Sequence, residues 1–375
     1  MTKGLHVGLV GLRFGAEFLP IYQHHPFVSK VSIADTDKTR LDQIGDAFDV
    51  AGRYQSLDLL LADPDVDAVH IATPVSGHAR QAIQVLQAGR HCACAVPMAT
   101  SLDDLYAVIG AQEASGRVYM MMETTVFGRE YLYVRSLAEE GRLGDLTFYR
   151  GFHMQDLDGY PSYWQGYPPM HYITHALSPA LALTNTTVDS VRCLGSGRLT
   201  QERAGTYGNP FPLEAALFRL REHDMAIDVT MSFFQTARQY TEGFDVYGTQ
   251  LGIEWPAVEG GPLLVHELGA MRSDGRGRAV AVTEVEPPDR PDLLPDEIAR
   301  FTQTVDVATR GGTYQVGAAH GGSHPHLVNE FVSSIIEGRR PLVDARTAAA
   351  WSAPGICAHD SALLSGAAVD VPDFA

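Results

Sequence analysis

The stretch Leu5-His6-Val7-Gly8-Leu9-Val10-Gly11-Leu12-Arg13-Phe14-Gly15-Ala16-Glu17-Phe18 decides the fold. It begins as an apolar run, turns at glycine, and continues with helical spacing through Phe14, Phe18, Ile21 and Tyr22. A strand that turns through glycine into a helix presents backbone N–H groups to a pyrophosphate. The fingerprint G-x-G-x-x-G/A falls on Gly11, position 13 and Ala16. Position 13 is Arg13, where a second glycine normally lets the backbone approach the phosphate. Further on, Val31-Ser32-Ile33-Ala34-Asp35 is a second short apolar strand ending in an acid. A carboxylate there accepts the adenosine ribose hydroxyls and repels a 2′-phosphate, so Asp35 points to NAD rather than NADP. Arg40 alone does not reverse that preference.

Outward from this turn the alternation continues. Val66 to Pro74 reads as a buried strand, Ser76 to Ala88 as a helix closed by Gly89, and Arg90 to Ala95 as a strand stopped by Pro97. Ser101 opens a helix with Asp104 placed for a capping box, and Val118 to Glu123 is the next strand. Strands alternating with helices at this pace predict an α/β doubly wound parallel sheet, a Rossmann domain over residues 1–125. Ligands bind at the carboxyl ends of such strands. Gly11, Asp35, Thr73-Pro74, Ala95-Val96-Pro97 and Glu123-Thr124 all fall at those ends.

The bulk properties exclude several classes. A chain of 375 residues suggests two domains or three, and 45% apolar with 19% charged residues is globular composition. A net charge of −17 argues against a nucleic-acid surface. Cys92, Cys94, Cys193 and Cys357 give neither a disulfide framework nor a zinc spacing. No apolar run reaches membrane length, and the N-terminus lacks a charged-then-apolar signal. The expectation is a soluble cytoplasmic protein with reduced thiols.

The run Gly8-Leu-Val-Gly11, Asp35, Asp67-Ala-Val-His-Ile-Ala-Thr73-Pro74, His78 and Ala88-Gly89-Arg90-His91 resembles the Gfo/Idh/MocA oxidoreductase family. The resemblance implies a Rossmann domain followed by an α+β domain, 126–375, with a large, mostly antiparallel open sheet whose face covers the nicotinamide. Its members act on sugars, inositols and related polyols with NAD(P), and form dimers or tetramers through that sheet. The cofactor contacts it implies here are Gly11, Arg13, Phe14, Asp35, Thr73, Pro74, His78, Val96 and Pro97. The family usually has Glu-Lys-Pro where this chain has Ala95-Val96-Pro97, its lysine standing by the substrate hydroxyl. Val96 cannot take the hydroxyl proton that must leave as hydride departs. Glu123, after three methionines, is the first candidate replacement, since desolvation raises a carboxylate toward a usable base.

Past Gly141, Leu146 to Met154 alternates as a strand, and an aromatic, proline-bearing loop follows from Gln155 to Pro169. Loops of that length are commonly functional, and Tyr163 and Trp164 beside Gln and Asp have the composition of a carbohydrate site. His171 and His175 lie at i and i+4. In the family this helix carries Asp four residues before His, so His175 matches the family histidine and His171 stands in the aspartate's place. The expected acid/base set is therefore His175, His171 and Glu123, with His153, Tyr163, Trp164 and His324 contacting substrate. Glu123, His153, His171 and His175 also form a possible divalent-metal set, the lesser reading of those groups. Val188 to Trp255 is β-rich, Ser323 is placed to N-cap a helix to Glu337, and Asp344 to Leu364 is a last helix packing back on the core.

Three functions compete. The first is NAD-dependent hydride transfer on a sugar, glycoside or cyclitol. The second is a redox-neutral enzyme that keeps NAD tightly bound and cleaves or isomerises a glycoside. The third is a non-catalytic nucleotide-binding protein.

Overall fold

The computed structural model describes residues 4–258, 260–317 and 319–374. Its contacts divide the chain into two units: the chain through Gly128 with Asp289–Ala349 and Phe374, and Arg129–Pro288 with Ala350–Asp373.

In the first unit six parallel strands, β1 (Leu5–Val10), β2 (Val28–Ala34), β3 (Gly52–Tyr54), β4 (Ala68–Ile71), β5 (His91–Cys94) and β6 (Tyr119–Met121), lie in the order β3-β2-β1-β4-β5-β6. Every residue of β1 is buried. A parallel strand covered by helices on both faces has no solvent side, so it reads as an unbroken apolar run. β1 pairs with β2 on one side and β4 on the other, Leu9 opposite Ile33 and Val10 opposite Ile71. The strand order therefore reverses beside β1, the switch point at which open α/β sheets bind ligands. The helix Leu102–Ser115 begins as its residues dictate, with Ser101 accepting from the Asp104 amide and donating to its carboxylate.

The single 126–375 domain of the sequence reading differs from this division, because 289–349 returns to the first unit. The hairpin of β15 (Val305–Thr309) and β16 (Gly312–Val316) packs Val307 and Tyr314 on the cluster of Leu9, Leu12 and Ile33. The helix His324–Glu337 packs near Leu19–His24, and Met121 N donates to Val343 O. Ser323 precedes that helix as expected but makes no side-chain cap, its first turn starting from αR backbone.

The second unit is built on a nine-stranded sheet. Its strands are β7 (Leu146–Met154), β8 (Val188–Ser196), β9 (Leu213–Leu220), β10 (Ala226–Ser232), β11 (Thr241–Gly248), β12 (Leu251–Glu254), β13 (Leu263–Met271), β14 (Arg278–Val285) and β17 (Val369–Asp370). They lie in the order β14-β13-β12-β11-β7-β10-β9-β8-β17, antiparallel throughout except for β7 with β10. The last two strands of the meander carry little sequence signal. Val280 and Val282 of β14 are more than half exposed, so no core face imprints an alternation on it.

Candidate active site

The nucleotide turn is built from backbone. Gly11 has φ +89°, and a Cβ there would lie 2.5 Å from Ala72 O, so only glycine lets the ends of β1 and β4 approach this closely. Gly11 N donates to Ala34 O at 2.9 Å. Asp35, 8% exposed, accepts from Leu12 N and Asp37 N, both at 2.8 Å. A carboxylate has about four acceptor positions. Short backbone bonds take two, which leaves capacity for ribose hydroxyls. Arg40 is already committed, with Nη1 3.4 Å from both Asp35 oxygens and Nη2 3.1 Å from Asp37. The residues thus fit NAD, and no uncommitted Arg40 charge awaits a 2′-phosphate. Arg13 is exposed on the outside of the turn, and Phe14 stands edge-on to Phe18 at 5.5 Å.

At the neighbouring strand ends Thr73 donates to Gln81, and Val96, 6% exposed, precedes Pro97 through a cis peptide. His78 is buried with Nε2 2.8 Å from Thr73 O and Nδ1 2.8 Å from Pro97 O. Both nitrogens face carbonyls, so this histidine ties the loop after β4 to the loop after β5. Burial lowers its pKa while the two carbonyls oppose that shift.

In the second unit, alternation along β7 puts Tyr149, Gly151 and His153 on one face, under the helix Thr174–Thr184. A Cβ on Gly151 would sit 2.0 Å from Ala176 O, and Tyr149 OH donates to that same oxygen at 2.8 Å. This close seating brings the His153 and His175 rings to 5.9 Å. Antiparallel register sets Glu242 of β11 opposite His153. Glu242 Oε2 is 3.9 Å from His153 Nδ1, Oε1 is 3.7 Å from His175 Nδ1, and Tyr240 OH donates to Oε2 at 2.6 Å. Two buried imidazoles thus share one carboxylate whose side chain is only 7% exposed. Tyr172 packs edge-on to His175 at 5.0 Å, and Trp164 lies against Tyr172 at 5.4 Å. Tyr163 lies beside Trp164 at 5.8 Å, and its carbonyl accepts from Tyr207.

His171 belongs to a different set. Its ring stands edge-on to His359 at 5.1 Å, and His359 Nδ1 is 2.7 Å from Glu214 Oε1. Glu214 is fully buried, and its other oxygen accepts from Met170 N at 2.9 Å. Burial, and then His359, pull the His171 pKa down to about 3. His171 is therefore neutral at physiological pH and suits a hydrogen-bonding role better than that of a base, whose pKa should lie near the working pH.

Two further expected residues lie in the first unit. Glu123 is fully buried, its Oε1 accepting from the Thr125 amide at 3.1 Å and the Thr125 hydroxyl at 2.9 Å. His324 is buried against Phe18 at 4.3 Å and Phe14 at 5.7 Å, with burial holding it neutral. Of the metal set, His153 and His175 lie with their rings 5.9 Å apart. Among the described residues no group of three or more His, Cys, Asp or Glu side chains is disposed to hold a metal ion. Sequence reading missed Glu242, Glu214 and His359. The two acids carry a readable signal, since Glu214 is in phase with the buried Ala216 and Phe218, and Glu242 with the buried Phe244 and Val246.

The sequence model for the oxidoreductase family with NAD-binding Rossmann fold, Gfo/Idh/MocA, matches residues 5–123. Residues 5–123 are a Gfo/Idh/MocA domain. Relatives reach across more of the chain. A glycosyl hydrolase family 109 protein of Saccharopolyspora erythraea is 24% identical over 99% of this chain and 83% of its own length. Another, of Bacteroides fragilis, is 28% identical over 48% of this chain, and the match spans 43% of that relative. Among solved structures, levoglucosan dehydrogenase in complex with NADH and levoglucosan aligns over 99% of this chain and 100% of its own, with TM-score 0.77 and 20% identity. Myo-inositol 2-dehydrogenase from Lactobacillus plantarum aligns over 99% and 100%, with TM-score 0.73 and 15% identity. At these identities the solved structures establish a shared fold. The Gfo/Idh/MocA domain thus continues into a second unit of the same architecture as theirs.

Proposed function

We propose that this protein is an NAD-dependent oxidoreductase acting on a CH–OH group of a sugar, glycoside or cyclitol. The observation that carries the reading is the His153–Glu242–His175 set in a chain whose first unit is an NAD-binding domain. Bound NAD would supply the hydride acceptor or donor, held by the Gly11 turn and the Asp35 carboxylate. Oxidising an alcohol releases a hydroxyl proton, and His175, oriented by Glu242, accepts it. An imidazole aimed by a carboxylate has its tautomer and ring fixed, and the carboxylate stabilises the imidazolium that forms. Tyr172 and Trp164 contribute aromatic faces to the same unit, suited to the C–H face of a carbohydrate. This assignment replaces the missing lysine at Val96 and does not require Glu123.

The redox-neutral reading with retained NAD has its own support. The relatives named glycosyl hydrolase family 109 include one matched over nearly the whole chain, and the second unit holds a further imidazole pair at His171 and His359. Purified protein, its absorbance and mass spectrum read for co-purified NAD(H), and a sugar and glycoside panel separate the two. Accumulating NADH supports the dehydrogenase. Product without NADH, from protein that retains NAD, supports the redox-neutral enzyme. Absence of any bound or bindable nucleotide overturns both.

The reading extends to a small carbohydrate as the partner, a cytoplasmic setting, and a homodimer or homotetramer assembled through the open sheet. Leu194 and Leu217 expose 61% of their surface from that sheet, and light scattering reads the assembly. Among the described residues no helix is long and apolar enough to cross a membrane.

A further inference from the structure

A cavity of about 250 Å³ opens in the second unit, lined by Asp158, Tyr160, Ser162, Gln165 and Arg203 over Phe234. We propose that it is a subsite for a second, non-reacting pyranose ring, so that the substrate is a glycoside longer than one sugar. This rests on the functional reading above and deepens it.

Position supports it first. Tyr160 OH accepts from Gln155 Nε2 at 2.9 Å, and Gln155 Oε1 lies 3.4 Å from His153 Nε2. Phe233, next to the floor residue Phe234, packs edge-on to His153 at 5.1 Å. One glutamine therefore separates the cavity wall from the imidazole set, the spacing needed by a ring joined directly to the reacting one.

The walls are also fixed. Leu157 N donates to Phe233 O at 2.9 Å, Gln165 Nε2 to Glu202 O at 2.7 Å, and Tyr207 OH to Tyr163 O at 3.1 Å. Asp158 and Arg203 form an ion pair across the two segments. A site held open by its own bonds costs little ordering on binding.

The lining then selects the ligand class. Arg203 is answered by Asp158, so among the described residues the lining presents no net charge and no free cation for an anionic group. Tyr160, half exposed, and Phe234 offer aromatic surface, while Ser162 and Gln165 are both exposed and offer a hydroxyl and an amide. Apolar faces with a few directed polar groups suit a neutral, polyhydroxylated ring. The volume lies below the roughly 300 Å³ at which drug-sized sites begin, so it admits one ring and not a chain.

The test uses full-length protein with NAD. The best-turned-over hexose is compared with disaccharides carrying that hexose at the non-reducing end. The disaccharide is expected to show a KM about tenfold below the free sugar at similar kcat. Tyr160→Ala should remove that advantage and leave the free sugar unchanged, and Tyr160→Phe, which keeps the ring, should behave as wild type. A disaccharide no better than the free sugar, or equal losses for both in Tyr160→Ala, overturns the subsite. Saturation-transfer NMR of the disaccharides reads binding without turnover. Transfer to the second ring that disappears in Tyr160→Ala, in a protein turning over no sugar, sustains the subsite and overturns the functional reading. Absence of transfer to the second ring overturns the subsite.

Discussion

Replacing Glu214 tests whether the His359–His171 pair is held by one buried carboxylate. In Glu214→Ala the Met170 amide and the His359 ring both lose their acceptor in a region from which water is excluded. Buried hydrogen bonds to a charged group contribute about 1.5–3 kcal/mol each, and two are lost here. We expect a loss of about 4 kcal/mol in the second unit. For a unit of about 180 residues that corresponds to a fall in Tm of roughly 10 °C. Glu214→Gln keeps the shape and an acceptor for Met170 N–H but turns an amide N–H toward His359 Nδ1 in place of the second oxygen, so its loss should be smaller, about 1–2 kcal/mol. Scanning calorimetry measures both variants. The ordering wild type, Gln, Ala is the expected result. An Ala variant melting within about 2 °C of wild type, against the roughly 10 °C expected, or a Gln variant melting below the Ala variant, would refute this account of the carboxylate.

Four further outcomes follow from the geometry. Gly11→Ala places a methyl 2.5 Å from Ala72 O at a positive φ, so NAD affinity should fall at least tenfold, as read by calorimetric titration. Asp35→Asn should lower NAD affinity and narrow the preference for NAD over NADP, because the charge that repels a 2′-phosphate is gone; an unchanged ratio would show that Asp35 serves only the turn. Glu242→Gln should reduce kcat by about two orders of magnitude, with the acid limb of its pH profile displaced, while a simple packing role would leave the profile in place. His70 is fully buried with its pKa held down at about 3 by burial. The unfolded chain binds that proton below about 6.5 and the native state does not, so stability is lost as pH falls through this window. Between about pH 6.5 and 4.5 the loss is about 2–3 kcal/mol at 1.36 kcal/mol per unit. His70→Gln should remove about that share of the acid limb in urea titrations at the two pH values, the buried His171 and His324 keeping theirs.

What was legible in the sequence follows from locality. The Gly11 turn, Asp35 and the strand ends after β4 and β5 could be read because each depends on residues within one strand–turn–helix step. His78 could be found but not understood. Its two carbonyl partners, Thr73 and Pro97, come from different loops, so its positioning role exists only once β4 and β5 lie side by side. The return of residues 289–349 to the first unit was similarly hidden. Val307 and Tyr314 are ordinary residues of a short hairpin until Phe48 and Leu41 meet them.

The site in the second unit shows the same limit more sharply, and also a way past it. His171 and His175 share a helical spacing, which predicts one site, yet His175 faces Glu242 while His171 stands against His359, which is itself bonded to Glu214. Spacing says which side chains share a face, but the neighbouring strands decide what that face meets. Glu242 and Glu214 were nonetheless visible in principle. Each acid occupies an inward step of an alternating strand, where an apolar side chain would be expected. A carboxylate in that phase must find a buried partner or be lost from the fold. The pattern of such a strand therefore predicts, by itself, a donor packed nearby. Applied to β9 and β11, that rule calls for two buried donors, and His359 and His153 with His175 are the residues that answer it.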